Sequence, residues 1–215
     1  MKPLIINTGL IILFLFIMLA GCKKINTDSE SVKDYKEGEY EERFYYAFSE
    51  KVPLVVKPNT ILVKYIEGTE KTQIIESIGR LTKDYTIKWH GSLTVEISVS
   101  SQKLADELLN KLKKENEVYT CQPFYTLKDG LDMGVADEIL IRFLPEVTED
   151  QQKELYESFN LTLLKTTKIY QKFRVPKGAD ALEIANKIYE SGLVEFATPN
   201  FISYAELCHI IPRQN

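Results

Sequence analysis

The strongest constraint on this chain is that part of it is written twice. Thr60-Ile61-Leu62-Val63-Lys64-Tyr65, an apolar run with a basic residue near its end, returns as Glu138-Ile139-Leu140-Ile141-Arg142-Phe143. Val118-Tyr119-Thr120-Cys121-Gln122-Pro123-Phe124-Tyr125 returns as Val194-Glu195-Phe196-Ala197-Thr198-Pro199-Asn200-Phe201. Ile61 and Ile139 are 78 residues apart, and Pro123 and Pro199 are 76 apart. Two landmarks at nearly one offset mark a duplicated unit of about eighty residues.

Both copies carry the same internal order. After the Thr60 strand, Ile74, Ile75, Ile78 and Leu81 fall on one face of a helix over 70–81. Tyr85 to His90 and Leu93 to Val99 then read as strands, the second alternating cleanly through Leu93, Val95, Ile97 and Val99. Ser101 can cap a helix striped by Leu104, Leu108 and Leu112, and the Val118 strand closes the unit. In the second copy, Thr148 with Gln151 makes a capping box for a helix carrying Leu155, Tyr156 and Phe159. Leu161 to Ile169 and Tyr170 to Val175 are its middle strands, and Asp180 caps a helix with Ala181, Ile184, Ala185 and Ile188. Val194 to Phe201 ends the unit. Strand–helix–strand–strand–helix–strand, twice, predicts an α+β protein of two tandem ferredoxin-like (βαββαβ) domains, over 46–127 and 137–202. Residues 128–136, with two glycines, read as the linker. Each sheet is expected to carry helices on one face and leave the other available to a partner.

Ahead of the repeat, Lys2, the apolar run Leu10 to Met18 and the small residues Ala20 and Gly21 have the parts of a secretory signal over 1–21. Leu19-Ala20-Gly21-Cys22 is similar to the lipobox of bacterial lipoproteins. That resemblance implies cleavage before Cys22 and acylation of its thiol and amine by fatty chains such as palmitate. The chain would then be lipid-anchored to a membrane of the cell envelope, periplasmic or at the cell surface. The alternative is an uncleaved membrane helix, but Asn7, Thr8 and Gly9 interrupt the apolar run. Residues 22–45 combine the lipidated cysteine with a polar stretch rich in Glu, Asp, Ser and Lys, read as a tether. The 215 residues carry a net charge of −4 and no basic stripe, a poor match to nucleic-acid binding. Cys121 and Cys208 are the other cysteines; in an exported chain they could pair, although their sequence separation does not establish a disulfide.

A catalytic constellation is hard to find. His90 and His209 are the only histidines. His90 follows Trp89 at a hairpin-like turn, where an exposed imidazole is commonplace, and His209 stands beside Cys208 without a third group to orient the pair. Phosphate-binding glycine loops, nucleophile elbows and metal-ligand spacings are missing. The sequence therefore predicts no catalytic residue, metal or cofactor, and an enzyme is the weaker reading.

The second copy resembles the N-terminal propeptide of subtilisin-like serine proteases, in particular the fervidolysin-type prodomain. Ile139-Leu140-Ile141-Arg142-Phe143, the helix pair and Gly192-Leu193-Val194-Glu195-Phe196-Ala197-Thr198-Pro199-Asn200 carry the likeness. In the first copy it is limited to the 61–65 strand, because Cys121-Gln122-Pro123-Phe124 replaces the Ala-x-Pro-Asn ending. The resemblance implies that the open sheet docks on a subtilisin-like protease, with Phe196, Ala197, Pro199, Phe201 and Tyr204 near that contact. It also implies that a tail from Phe201 to Ile211, mostly within 203–215, fills the cleft as an added strand. Such proteases would continue into a catalytic domain, whereas no Asp, His and Ser triad follows here. The expected role is a membrane-anchored inhibitor or chaperone acting in trans. A surface module for a peptide, glycan or partner protein, or the remnant of a truncated protease, is the alternative.

Overall fold

Each helix begins where a side chain can satisfy the first unpaired amides. In α1 (Lys71–Leu81) the Gln73 side chain accepts from the Glu70 amide at 2.8 Å. Ser101 Oγ accepts from Leu104 N at the start of α2 (Gln102–Leu112). Thr148 and Gln151 form the reciprocal box at α3 (Glu149–Ser158), and Asp180 Oδ1 accepts from Leu182 N and Glu183 N at α4 (Ala181–Glu190).

A computed structural model describes residues 43–47 and 49–203. Its strands are β1 (Arg43–Ala47), β2 (Glu50–Tyr65), β3 (Thr86–Trp89), β4 (Thr94–Ser98), β5 (Val118–Thr126) and β6 (Asp132–Gly134). They continue with β7 (Glu138–Phe143), β8 (Thr162–Thr166), β9 (Gln171–Arg174), β10 (Val194–Pro199) and β11 (Ile202–Ser203). The protein is mixed α+β. One sheet runs β11-β6-β5-β2-β4-β3, with β1 paired to the early part of β2; the other runs β10-β7-β9-β8. Every pairing is antiparallel. Within each copy of the repeat the strands lie in the order fourth, first, third, second.

Under α1 and α2 the first copy buries Ile61, Val63, Ile74, Ile78, Val95, Ile97, Leu108 and Leu112. Ile75 points away and is 44% exposed, so the expected four-residue stripe of α1 narrows to Ile74 and Ile78, with Leu81 at its margin. The second core gathers Ile139, Ile141, Phe173, Val175, Ala181, Ala185 and Ile188, and it also takes in Leu54, Tyr125 and Met133 from the first sheet. The two copies therefore share apolar packing.

Four pieces of strand lie outside the sequence expectation. β1 occupies residues 43–47, where 22–45 had read as tether; Tyr45 turns inward to the shared core and Arg43 pairs with Asp180 at 2.7 Å. The early half of β2 pairs with β1, then shifts register against β5 between Val56 and Ile61, around Pro58 and a left-handed Asn59 (φ 58°). β6 falls inside the expected 128–136 linker, and β11 pairs with it across the expected domain end at 202. Gly134 permits this: a Cβ there would stand 2.8 Å from side-chain carbons of Leu62 and Phe124.

Candidate functional site

The two helix-free sheet faces differ. On the first sheet, Thr60, Leu62, Thr94, Glu96, Thr120, Gln122 and Phe124 are all buried, and Ala136 and Ile202 pack over Leu62 and Phe124. Contrary to expectation, this face is filled by the chain itself and is not open to a partner.

Its polar groups are held in a chain of contacts. Lys57 Nζ donates to Asp132 Oδ2 at 2.6 Å and to Glu96 Oε1 at 3.3 Å, Thr126 Oγ1 donates to Asp132 Oδ1 at 2.8 Å, and His90 Nε2 lies 3.2 Å from Glu96 Oε2. The His90 side chain is 6% exposed, which corrects the expectation of an exposed imidazole. The Glu96 carboxylate beside it, six residues on, is the partner that a turn-based reading misses. Partial burial alone would raise the Asp132 pKa, but the hydrogen bonds from Lys57 and Thr126 outweigh it and bring it below the ordinary 3.8. Burial likewise works against the Lys57 charge, yet Asp132 and Glu96 hold its pKa above 10.5.

On the second sheet the face opposite α3 and α4 carries Glu138, Leu140 and Arg142 from β7, Lys172 and Arg174 from β9, and Phe196 and Thr198 from β10. Leu140 and Phe196 are half-buried there and belong to neither helix-covered core. Ion pairs frame them: Arg142 Nε to Glu195 Oε2 at 2.8 Å, and Lys172 Nζ to Glu138 Oε2 at 3.0 Å, with Asn200 Nδ2 donating to the same oxygen at 2.7 Å. Burial pushes the Glu138 carboxyl up, but the Lys172 and Asn200 donors prevail and leave it below 4.5. At the sheet's free edge every residue of β8 is exposed, including Leu163 and Leu164.

Among the described residues expected to touch a protease, one stands on this face. Phe196 does. Ala197 and Pro199 point the other way and are buried, Ala197 at 1% exposure, because strand residues alternate faces; they pack into the core beneath the sheet. Phe201 rests against Tyr45, ring centroids 4.9 Å apart, and is part of the shared core's margin. Tyr204, Cys208, His209 and Cys22 lie outside the described residues. Cys121 is a free thiol sealed under the first copy's helices, and burial pushes its pKa up to about 12.

Among the described residues no group of three or more His, Cys, Asp or Glu side chains is placed to hold a metal ion. Nor is any described helix long and apolar enough to cross a membrane. A shallow depression of about 220 Å³ at the β8–β9 turn is lined by Arg142, Gln152, Lys168, Tyr170 and Gln171, with Gln171 donating to Gln152. None of these lining groups makes a nucleophile and base pair.

The depressed carboxylates set an acid limit. Asp132 and Glu138 contribute stability that is present above the ordinary carboxylate range and lost as the pH falls through their lowered native values. The urea midpoint is expected to be flat above about pH 5 and to fall below about pH 4, and Asp132→Asn with Glu138→Gln to flatten that fall. An unchanged acid profile in the double variant would count against both assignments.

No family model matches the chain, and no curated protein does. Among solved structures, an Sxl-lethal protein/RNA complex overlaps 69% of this chain and 100% of its own at 10% identity and a TM-score of 0.30. The acetolactate synthase small subunit from Thermotoga maritima overlaps 71% and 100% at 11% identity and a TM-score of 0.27. The C. elegans NONO-1 homodimer overlaps 64% of this chain and 53% of its own at 7% identity and a TM-score of 0.26.

Proposed function

We propose that this chain is an envelope lipoprotein of two tandem ferredoxin-like units, tied to a membrane by acylated Cys22, whose second unit binds and inhibits a subtilisin-like serine protease in trans. The observation that carries the docking part is the helix-free face of β10-β7-β9-β8. It presents Phe196 and Leu140 outside either core, framed by ion pairs, and β10 leads directly toward the C-terminal segment. An apolar centre with a charged rim is the ordinary anatomy of a protein-binding surface. Nucleic acid, cofactor and metal have no part in this reading, and the chain acts as a ligand of the protease, not as an enzyme.

Because Ile202 and Ser203 pair with β6, the cleft-filling segment in this reading begins at Tyr204, later than Phe201. Protein from Lys23 onward, titrated against subtilisin-like proteases of the same cell, is expected to abolish activity stoichiometrically. Removing 204–215 should abolish inhibition with the far-UV spectrum unchanged, and Phe196→Ser should weaken it at least about tenfold, a loss of about 1.4 kcal/mol. Folded, uncleaved protein that leaves every protease active sinks the proposal. That result would favour a non-inhibitory binding module, the reading that the exposed edge of β8 supports through strand addition.

A further inference from the structure

The β1–β2 hairpin has two unlike faces. Its inner face sends Tyr45, Leu54 and Val56 to the shared core. By the cross-strand register Phe44 stands opposite Pro53 and Tyr46 opposite Lys51, so these four side chains share the outer face with Val55, which is 55% exposed. The rings there are organised. Tyr46 stacks on Tyr189 of α4 at 4.3 Å, Phe44 meets Tyr46 edge-on at 5.5 Å, and Lys51 Nζ sits 4.3 Å from the Phe44 centroid. Tyr46 Oη donates to Glu190, which raises the phenol's pKa and keeps it neutral.

We infer that this outer face is a membrane-resting surface, seating the folded chain against the lipid bilayer. The inference rests on the proposal that Cys22 is acylated. Cys22 precedes Arg43 by 21 residues, and the chain from it ends at this hairpin, making β1 the described element nearest the anchor. Twenty-one residues span at most about 70 Å, so an acylated Cys22 keeps the hairpin within that distance of the bilayer. Rings with an apolar body and a hydroxyl tip partition to the headgroup level, and a lysine can lie along them with its ammonium in water. Glu50 at the hairpin tip offsets the charge of Lys51. Apolar contact therefore drives the seating, which should respond little to salt.

The test uses the full lipidated chain in phosphatidylethanolamine and phosphatidylglycerol vesicles. A nitroxide is placed at Val55→Cys, or for comparison at Ile169→Cys, which is 60% exposed on the β8–β9 turn. Both carry Cys208→Ser, and Cys121 is sealed from the reagent. Incorporation of labelled palmitate is measured alongside. The expected result is a label at 55 lying about 5–10 Å into the interface, more accessible to oxygen than to a polar nickel complex, with the reverse at 169. Adding Phe44→Ser with Tyr46→Ser should return the label at 55 to water. Equal, water-like accessibility at both positions in palmitoylated protein overturns the inference while leaving the anchor intact. Spin–spin broadening at 55 overturns it in favour of a second copy. Failure of Cys22 to take up palmitate removes the anchor reading and the membrane seat together.

Discussion

Phe173→Ala is expected to cost about 3–5 kcal/mol of stability, and to cost it to both copies of the repeat at once. Phe173 lies on β9, is fully buried, and packs against Tyr156 of α3 with ring centroids 5.3 Å apart. Truncation removes that contact and leaves a cavity in a core that also contains Leu54, Tyr125 and Met133 from the first sheet. The chain has one tryptophan, Trp89, on β3 at the far side of that first sheet. Urea unfolding followed by Trp89 fluorescence and by far-UV circular dichroism should give coincident curves in both proteins, with the midpoint lowered equally by the mutation. A Trp89 transition that stays at the wild-type midpoint would show that the first copy stands without the second, and that the shared packing adds little.

Asp137→Ala is the second large effect, through charge. Asp137 connects β6 to β7 with its side chain 3% exposed, between Arg174 Nε at 3.2 Å and Lys64 Nζ at 3.9 Å. Lys64 belongs to the first sheet and Arg174 to the second, so a single buried carboxylate links them. Its removal takes the buried carboxylate from both cations and leaves Arg174 only the exposed Glu67, whose Oε1 lies 3.4 Å from Nη1. Deleting one partner of a fully buried pair costs about 3–5 kcal/mol, but Lys64 and Arg174 keep 25% and 31% of their side-chain exposure and recover some hydration. A loss of about 2–3 kcal/mol is therefore expected, read as a shift of the urea midpoint without change in slope. Arg174→Met in the same chain should restore part of it, because one stranded charge is then gone. Strict additivity of the two substitutions would mean that the ion pair carries no coupling.

Local instructions were legible because they act over a few residues. Ser101, Thr148 with Gln151, and Asp180 named three helix starts, and each accepts the expected amide or forms the expected box. Alternation in 93–99 identified Val95 and Ile97 as core. The same alternation misled for the opposite side of that strand: Thr94 and Glu96 look like solvent positions, yet both are buried. Period two says which residues share a face, not what later covers it.

The candidate site followed that division. Phe196 and Ala197 were read together as sheet residues beside a contact, but neighbours on a strand face opposite ways: Phe196 lies on the helix-free face and Ala197 is buried in the core. His90 was legible at the turn after Trp89 but not as the partner of Glu96, and the bridge that Lys57 makes from Glu96 to Asp132 was hidden because Asp132 lies on β6, a three-residue strand too short to carry a pattern.

By itself, then, the sequence determined the order of most helices and strands, the caps, and the apolar stripes beneath them, since propensity, capping and periodicity are settled within one or two turns of chain. Tertiary structure alone decided that Arg43–Ala47 is a strand, that Gly134 lets β6 close over Leu62 and Phe124, and that one sheet face is sealed while the other stays partly open. Those outcomes depend on contacts between residues tens of positions apart. Their free energy comes from burying apolar area and pairing charges across the fold, to which no local stretch of sequence has access.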